Sequence, residues 1–316
     1  MLLMLMVGFL YVVARDMDSA KVKVFTWTLA LGTAVEVFLG WLNIFGIYPW
    51  MAWVVPDQIG RAMGLLTHPN YWGSLMALVI PIMWALMGPI AVLLIMIPVV
   101  VSHSANPVIS SLAGIVVCAW PELNKKTKYF LIGSASAVVG FVMNRHEWRL
   151  NGRREVWEAI WPEIMRYPII GQGLGDWRVW ADQWNAKYRT PGWATLQAHN
   201  EIYQMWFELG LIGVAIILVM ALQAAVCFRI VWKFQNTGGP RVLWGRIPIE
   251  RAWLGVFTAA IVNSFASPTF HLPAQAAIAM FALARIQATA VKYSIADTIV
   301  STKNAAKGRR KENSNA

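Results

Sequence analysis

Repeated apolar runs of bilayer-crossing length limit what this chain can fold into. Hydrocarbon offers no partner for a backbone amide or carbonyl, so a run of roughly 20 apolar residues in lipid folds as a helix. Runs near 1–15, 25–47, 71–88, 89–103, 107–121, 129–143, 201–227, 251–268 and 272–290 predict about nine such helices. Pro89 and Pro107 open two of them, where a first helical turn tolerates the missing amide hydrogen. The chain is 58% hydrophobic and only 14% charged, which excludes an ordinary soluble domain. Its 18 Trp suit membrane interfaces, where an indole is half wet. Cys118 and Cys227 both fall in apolar runs, so neither a disulfide nor a metal framework is expected. The first run lacks a basic leader and a small-residue cleavage site, so no cleavable signal peptide is expected.

The basic residues orient these helices. Arg15, Lys21 and Lys23 follow the first run, and Lys125, Lys126 and Lys128 follow the fifth. Arg229, Lys233, Arg241, Arg246 and Arg251 follow the seventh, and Lys303, Lys307, Arg309, Arg310 and Lys311 close the chain. With nine spans, every cluster falls on the cytoplasmic side and the N-terminus lies outside. The formal net charge of +11 therefore belongs to membrane-flanking loops and is not a nucleic-acid footprint. Outside lie 48–70, the turn from His103 to Asn106, and a long mixed-charge segment over 144–198. The expected organisation is an N-terminal membrane bundle (1–143), an extracytoplasmic loop (144–200), C-terminal membrane helices (201–293) and a disordered basic cytoplasmic tail (294–316). The fold class is thus an all-α polytopic membrane protein with one long loop that bears an amphipathic helix.

That amphipathic helix is read over 153–166. Val156, Trp157, Ile160, Trp161, Ile164 and Met165 share one face, with Arg154, Glu155 and Glu158 opposite. Pro162 is expected to kink or break it. Such a helix suits lying flat on a membrane, with Arg153 at the edge of the apolar face turned toward a headgroup. The same pattern also suits a solvated surface helix. Gly171-Gln172-Gly173-Leu174-Gly175 reads as a turn, either plain or presenting amides to a phosphate. It is not a nucleotide-binding G-x-G-x-x-G. Further on, His199, Tyr203, Trp206, Gly210 and Gly213 fall on one helical stripe. This sets a titratable group at the wet mouth of a span, with glycines below where another helix can approach. On spacing alone His199 is equally an interfacial histidine bonded to a carbonyl. Glu36 lies mid-span and is costly there unless paired or wet; it either lines a groove or bonds a neighbouring helix. His68, His146 and His271 read as ordinary loop histidines. Trp148, Trp177, Trp180, Trp184 and Trp193 read as interfacial anchors, with sugar stacking as the alternative.

The runs NGRREVWEAIWPEIMRYPIIGQGLGDW and AHNEIYQMWFELGLIG together resemble the O-antigen ligase/polymerase family of bacterial envelope glycosyltransferases. The resemblance rests on Gly152, Arg153, Trp157, Pro168, Gly171, Gly173, Gly175, His199, Asn200, Gly210 and Gly213, in that order. Arg61, Gly64, Pro69 and Asn70 are similar to the family's arginine-glycine and proline-asparagine pattern ahead of a span. In all it covers roughly residues 60–270. One departure concerns the Ser-x-Ser-Arg-Gly pattern at the outer end of a span. Here the place reads Ser102-His103-Ser104-Ala105-Asn106, with Ala105 where the family's pyrophosphate-gripping arginine stands. Arg61 and His103 are the groups left to take its part. Relatives usually carry further spans before the first, which leaves Met1 open as the native start.

The resemblance implies a GT-C-like enzyme of the bacterial inner membrane with its catalytic loop on the extracytoplasmic side. It implies glycan transfer from an undecaprenyl-pyrophosphate carrier to a lipid A core or glycan acceptor, with inversion and with neither metal nor cofactor. His199 is then the base for the acceptor hydroxyl. Arg153 and Arg61 hold pyrophosphate, because planar forks fit its oxygens, and Arg154 belongs to the substrate-binding set. Asn70, His103 and Asn200 complete the substrate-binding set. A lipid-linked glycan flippase or polysaccharide exporter, and an inactive assembly partner, are the rival readings.

Overall fold

The computed structural model describes residues 2–47, 61–66, 68–129, 133, 153–188, 198–236, 247–267, 269 and 272–314. Regular structure among the described residues is helical, without a strand. In chain order the helices are α1 (Leu2–Asp16), α2 (Ser19–Ile44), α3 (Pro69–Met87), α4 (Pro89–Val101) and α5 (Ala105–Ala119). They continue as α6 (Arg153–Arg166), α7 (Asp176–Tyr188), α8 (Glu201–Asn236), α9 (Ile249–Ser264) and α10 (Pro273–Ser314). Each expected span coincides with a helix except 129–143, which lies outside the described residues save for Tyr129 and Gly133. By length and composition, Ser19–Ile44, Pro69–Met87, Glu201–Lys233 and Pro273–Ala296 can cross a membrane, and Pro89–Val101 and Ala105–Ala119 are shorter apolar helices. The architecture is consistent with a polytopic membrane protein.

Local chemistry sets the ends of these helices. The Asp18 side chain accepts the Lys21 amide at 2.8 Å and caps α2. That amide, with the nearby Lys21 ammonium, holds the Asp18 carboxyl below the usual carboxylate range. His68 Nδ1 accepts the Asn70 amide at 3.2 Å, and Pro69 stands in the first turn of α3. Gly88 (φ 85°) ends α3, and Pro89 starts α4 directly after it.

The bundle core centres on α3, whose Trp72, Met76, Leu78, Val79, Ile80 and Ile82 are almost wholly buried. Side chains of α4, α9 and α10 pack around them in one cluster. Between α5 and α9 the contact is backbone-close: a Cβ on Gly114 would stand 2.9 Å from the Gly255 carbonyl oxygen. The connectivity places 16–18, 88 and 120–124 at one end of the bundle. Residues 61–66, 68, 102–106, 198–200, 265–267 and 269 gather at the other.

Several expectations change. The apolar face of α6 is in part covered by protein: Val156, Ile160 and Ile164 are buried with Trp177, Ala181 and Phe207 of α7 and α8, while Trp161 and Met165 stay exposed. This small core also carries α6 through Pro162, because burial of the face outweighs one lost backbone bond. The helix α8 is broken at Gly210 (φ 62°, ψ −152°). Its first part, 201–209, packs with α6 and α7 in an outer unit, and its second part, 211–236, runs on as an apolar helix. The expected disordered tail is instead the continuation of α10 to Ser314, over a sequence rich in Ala, Lys and Arg and without proline. Glu36 is paired: its Oε2 accepts the Leu65 amide at 3.0 Å. Beside it, Asn43 Oδ1 accepts the Gly64 amide at 2.9 Å, so α2 fixes the turn that follows Arg61.

Candidate functional site

The described candidates sit at one end of the bundle, on three loops and the head of α8. Arg61 donates from Nε and Nη2 to the Ser102 carbonyl at 2.9 and 2.7 Å. Its Nη2 also reaches Asn70 Oδ1 at 3.4 Å. A fork on a carbonyl at the C-terminal end of α4 is a favourable use of the helix dipole. It also places a guanidinium at the 102–106 loop. Asn70 thus orients Arg61.

The 102–106 loop is bound in turn to the end of α9. Asn106 Nδ2 donates to Asn263 Oδ1 at 2.7 Å and to Ser267 Oγ at 2.9 Å. Ser74 of α3 donates to the same Asn263 oxygen at 3.0 Å, and Asn263 Nδ2 donates to Thr269 at 2.8 Å. These side chains, buried except for half-buried Asn106, hold three helices and two loops in one register. Sequence reasoning missed Asn263 and Ser267. Their signal was a polar pair at the end of an apolar run.

His199 stands in the turn ahead of α8. Trp157 of α6 donates its Nε1 to the Ala198 carbonyl at 2.7 Å and stacks on Tyr203, with ring centroids 5.6 Å apart. Gln204 Oε1 accepts the Ala198 amide at 3.2 Å. After His199, Asn200 caps the helix: its Oδ1 accepts the amides of Ile202 and Tyr203 at 3.0 and 3.2 Å. Asn200 Nδ2 donates to the Phe265 carbonyl at 3.3 Å, joining this turn to the end of α9. His199 itself has φ 53°, and His103 has φ 51°. Among the described residues they are the non-glycine positions in the left-handed region, which histidine enters more readily than most residues but at a cost. The bonds on both flanks of His199 hold its turn there.

Arg153 and Arg154 begin α6, and their side chains lie outside the described residues. The backbone is informative all the same. Arg153 precedes Trp157 by one turn, and Trp157 abuts the residue before His199. His146, Trp148, Trp193 and His271 also lie outside the described residues. Among the described residues no three His, Cys, Asp or Glu side chains gather in a metal-holding group.

The glycine turn is structural. Gln172 and Gly173 donate their amides to the Phe207 and Glu208 carbonyls at 2.8 and 3.0 Å, closing the end of the first part of α8. A Cβ on Gly171 would stand 2.5 Å from the Glu208 carbonyl. Gly210 is approached most closely by the Ile169–Gly171 backbone and Gly213 by the Met205 carbonyl, so among the described residues the nearest neighbour of each is the outer unit and not another membrane helix. Also unread in the sequence was a buried polar line on α8, Glu201, Gln204 and Glu208, with Gln204 Nε2 donating to Glu208 at 3.3 Å.

Residues 90–218 match the family model of the O-antigen ligases. That match supports membership of the O-antigen ligase/polymerase family. It takes in the 102–106 loop, α6, the glycine turn, His199, Asn200 and the Gly210 break, whereas Arg61, Asn70 and Asn263 fall outside it. No curated protein matches the chain.

Proposed function

We propose that the chain is a membrane glycosyltransferase of the O-antigen ligase or polymerase type, moving a glycan from undecaprenyl pyrophosphate to an acceptor hydroxyl. The carrying observation is the pair of bonds that ties the His199 turn to α6 through Trp157 and to α9 through Asn200. His199 accepts the hydroxyl proton as the acceptor oxygen attacks the anomeric carbon. The carbon–oxygen bond to pyrophosphate breaks on the opposite face, which inverts the centre. Undecaprenyl pyrophosphate leaves with the electron pair, and Arg153 and Arg61 meet the charge that develops there. Arg154 stands beside Arg153 as a further substrate contact, and His103 stands beside the Arg61 fork as a further donor to the pyrophosphate. Asn70 and Asn200 are positioning residues, the first for Arg61 and the second for His199. The site end of the bundle faces the extracytoplasmic side of the inner membrane, as the basic clusters direct.

Purified protein in detergent, given a lipid-pyrophosphate-linked glycan and an acceptor, should release undecaprenyl pyrophosphate as product forms. His199→Ala should lower transfer about 10²–10⁴-fold while donor binding persists. The wild-type rate should rise with pH as imidazole loses its proton. Transfer by His199→Ala within a few-fold of wild type would refute the role. Absence of pyrophosphate release in the wild type would favour export or scaffolding instead.

A further inference from the structure

Three large apolar side chains are exposed at the edge of the outer unit: Ile169 is 63% exposed, Ile170 67% and Leu174 46%. They do not ride on a loose loop. The Gly171 amide donates to the Tyr167 carbonyl at 2.9 Å, and the Leu211 amide donates to the Pro168 carbonyl at 2.9 Å. Trp206 Nε1 donates to the same Pro168 oxygen at 3.2 Å. A rigid loop that displays isoleucines outward makes no contribution to the core beneath it, so something else must cover them.

The position of the loop identifies the cover. Leu211 begins the second part of α8, so its bond to Pro168 sets the loop level with the first turn of that helix. Leu211 and Ile212 are themselves exposed, and the exposed apolar face continues through Ile216 and Leu218. The loop and the helix thus present one continuous apolar surface. Arg166, paired with Glu163 at 2.8 Å, and exposed Tyr167 border it, a composition suited to the headgroup level.

We propose that the 167–174 loop inserts into the outer leaflet of the lipid bilayer and anchors the outer unit at a fixed depth. The inference rests on the membrane-spanning reading of the second part of α8, and not on the role of His199. Its consequence is positional. The Gln172 and Gly173 amides grip the end of the 201–209 helix, and Asn200 caps the other end of that helix. A loop seated in lipid therefore sets the height of the His199 turn above the membrane.

The test uses the full-length protein in phosphatidylglycerol–phosphatidylethanolamine nanodiscs. The partly exposed Cys227 is replaced (Cys227→Ser), buried Cys118 is kept, and an environment-sensitive fluorophore is attached at Ile170→Cys. Parallel labels at Leu174→Cys, Leu218→Cys and Arg178→Cys report the loop again, the span and the wet face of α7. Shallow spin-labelled lipid should quench the Ile170 and Leu174 labels to within about twofold of the Leu218 label, and leave the Arg178 label bright. If Leu218 is quenched while both loop labels behave like Arg178, the loop stays in water and the proposal fails alone. If Leu218 also escapes quenching, the membrane reading of α8 fails and takes the proposal with it.

Discussion

Gly210→Ala is the substitution that most directly probes how the outer unit is joined to the bundle. At φ 62° and ψ −152° the backbone occupies a region that essentially only glycine enters, a strain of about 1–3 kcal/mol for alanine. The new Cβ would also overlap the Ile169 carbonyl and stand 2.6 Å from the Gly171 nitrogen. Those backbone atoms cannot yield freely, since Leu211 is bonded to Pro168 and Gln172 to Phe207. Overpacking adds about 1–3 kcal/mol, for a combined cost of about 2–6 kcal/mol. The matched control is Gly88→Ala, where φ 85° and ψ −173° impose similar strain but a Cβ meets nothing within 4 Å. Hydrogen exchange in nanodiscs should separate the two. Amides of 201–209 should exchange on the order of 30-fold to 10⁴-fold faster in Gly210→Ala and remain protected in Gly88→Ala. Transfer should fall with the first variant only, because the His199 turn rides on that helix. Equal protection of 201–209 in both variants would refute the argument that the Ile169–Gly171 backbone locks the break.

Arg153→Lys should lose most transfer while Arg154→Lys stays mild, because a point charge cannot replace a fork on pyrophosphate; equal losses in kcat/KM would remove the specific role. Arg61→Ala should lower stability by about 1–3 kcal/mol as the Ser102 carbonyl loses its fork, read from denaturation midpoints. Arg61→Lys, which keeps the charge, should recover donor binding only in part. Asn263→Ala leaves Ser74, Asn106 and Thr269 without their shared partner and should cost about 1–3 kcal/mol. Asn263→Asp, which keeps the acceptor for Ser74 and Asn106, should be milder in the same measurement.

The helices were legible because the length of an apolar run and its flanking punctuation are local properties. Pro89 is the first residue of α4, and Pro107 stands in the first turn of α5. What lay hidden was which surface each helix meets. The stripe from His199 through Tyr203 to Trp206 was visible, yet spacing says nothing of its partner, which is Trp157 and Trp161 of α6 and not another membrane helix. Gly210 and Gly213 carried the same ambiguity, since a glycine that admits a neighbour and a glycine that turns the chain look alike in sequence. The polar line of Glu201, Gln204 and Glu208 had helical spacing and was open to being read; the apolar residues around it drew the inference toward a span.

The distant pairings were beyond any local pattern. An asparagine at the end of an apolar helix can bond many groups, and only the packing of α3, α5 and α9 selects Asn106 for Asn263. The same holds for the most consequential residue of the site. The loss of an arginine at Ala105 reads in the sequence as a missing charge. In the folded chain, Arg61 enters that loop from another segment and sets its guanidinium on the Ser102 carbonyl. Because Glu36 and Asn43 brace the turn that follows Arg61, the cation is held by α2 rather than carried on the loop itself. On the function proposed above, a charge missing from the local sequence at Ala105 would be supplied by tertiary structure. The Arg61 substitutions therefore bear on binding geometry as well as on charge.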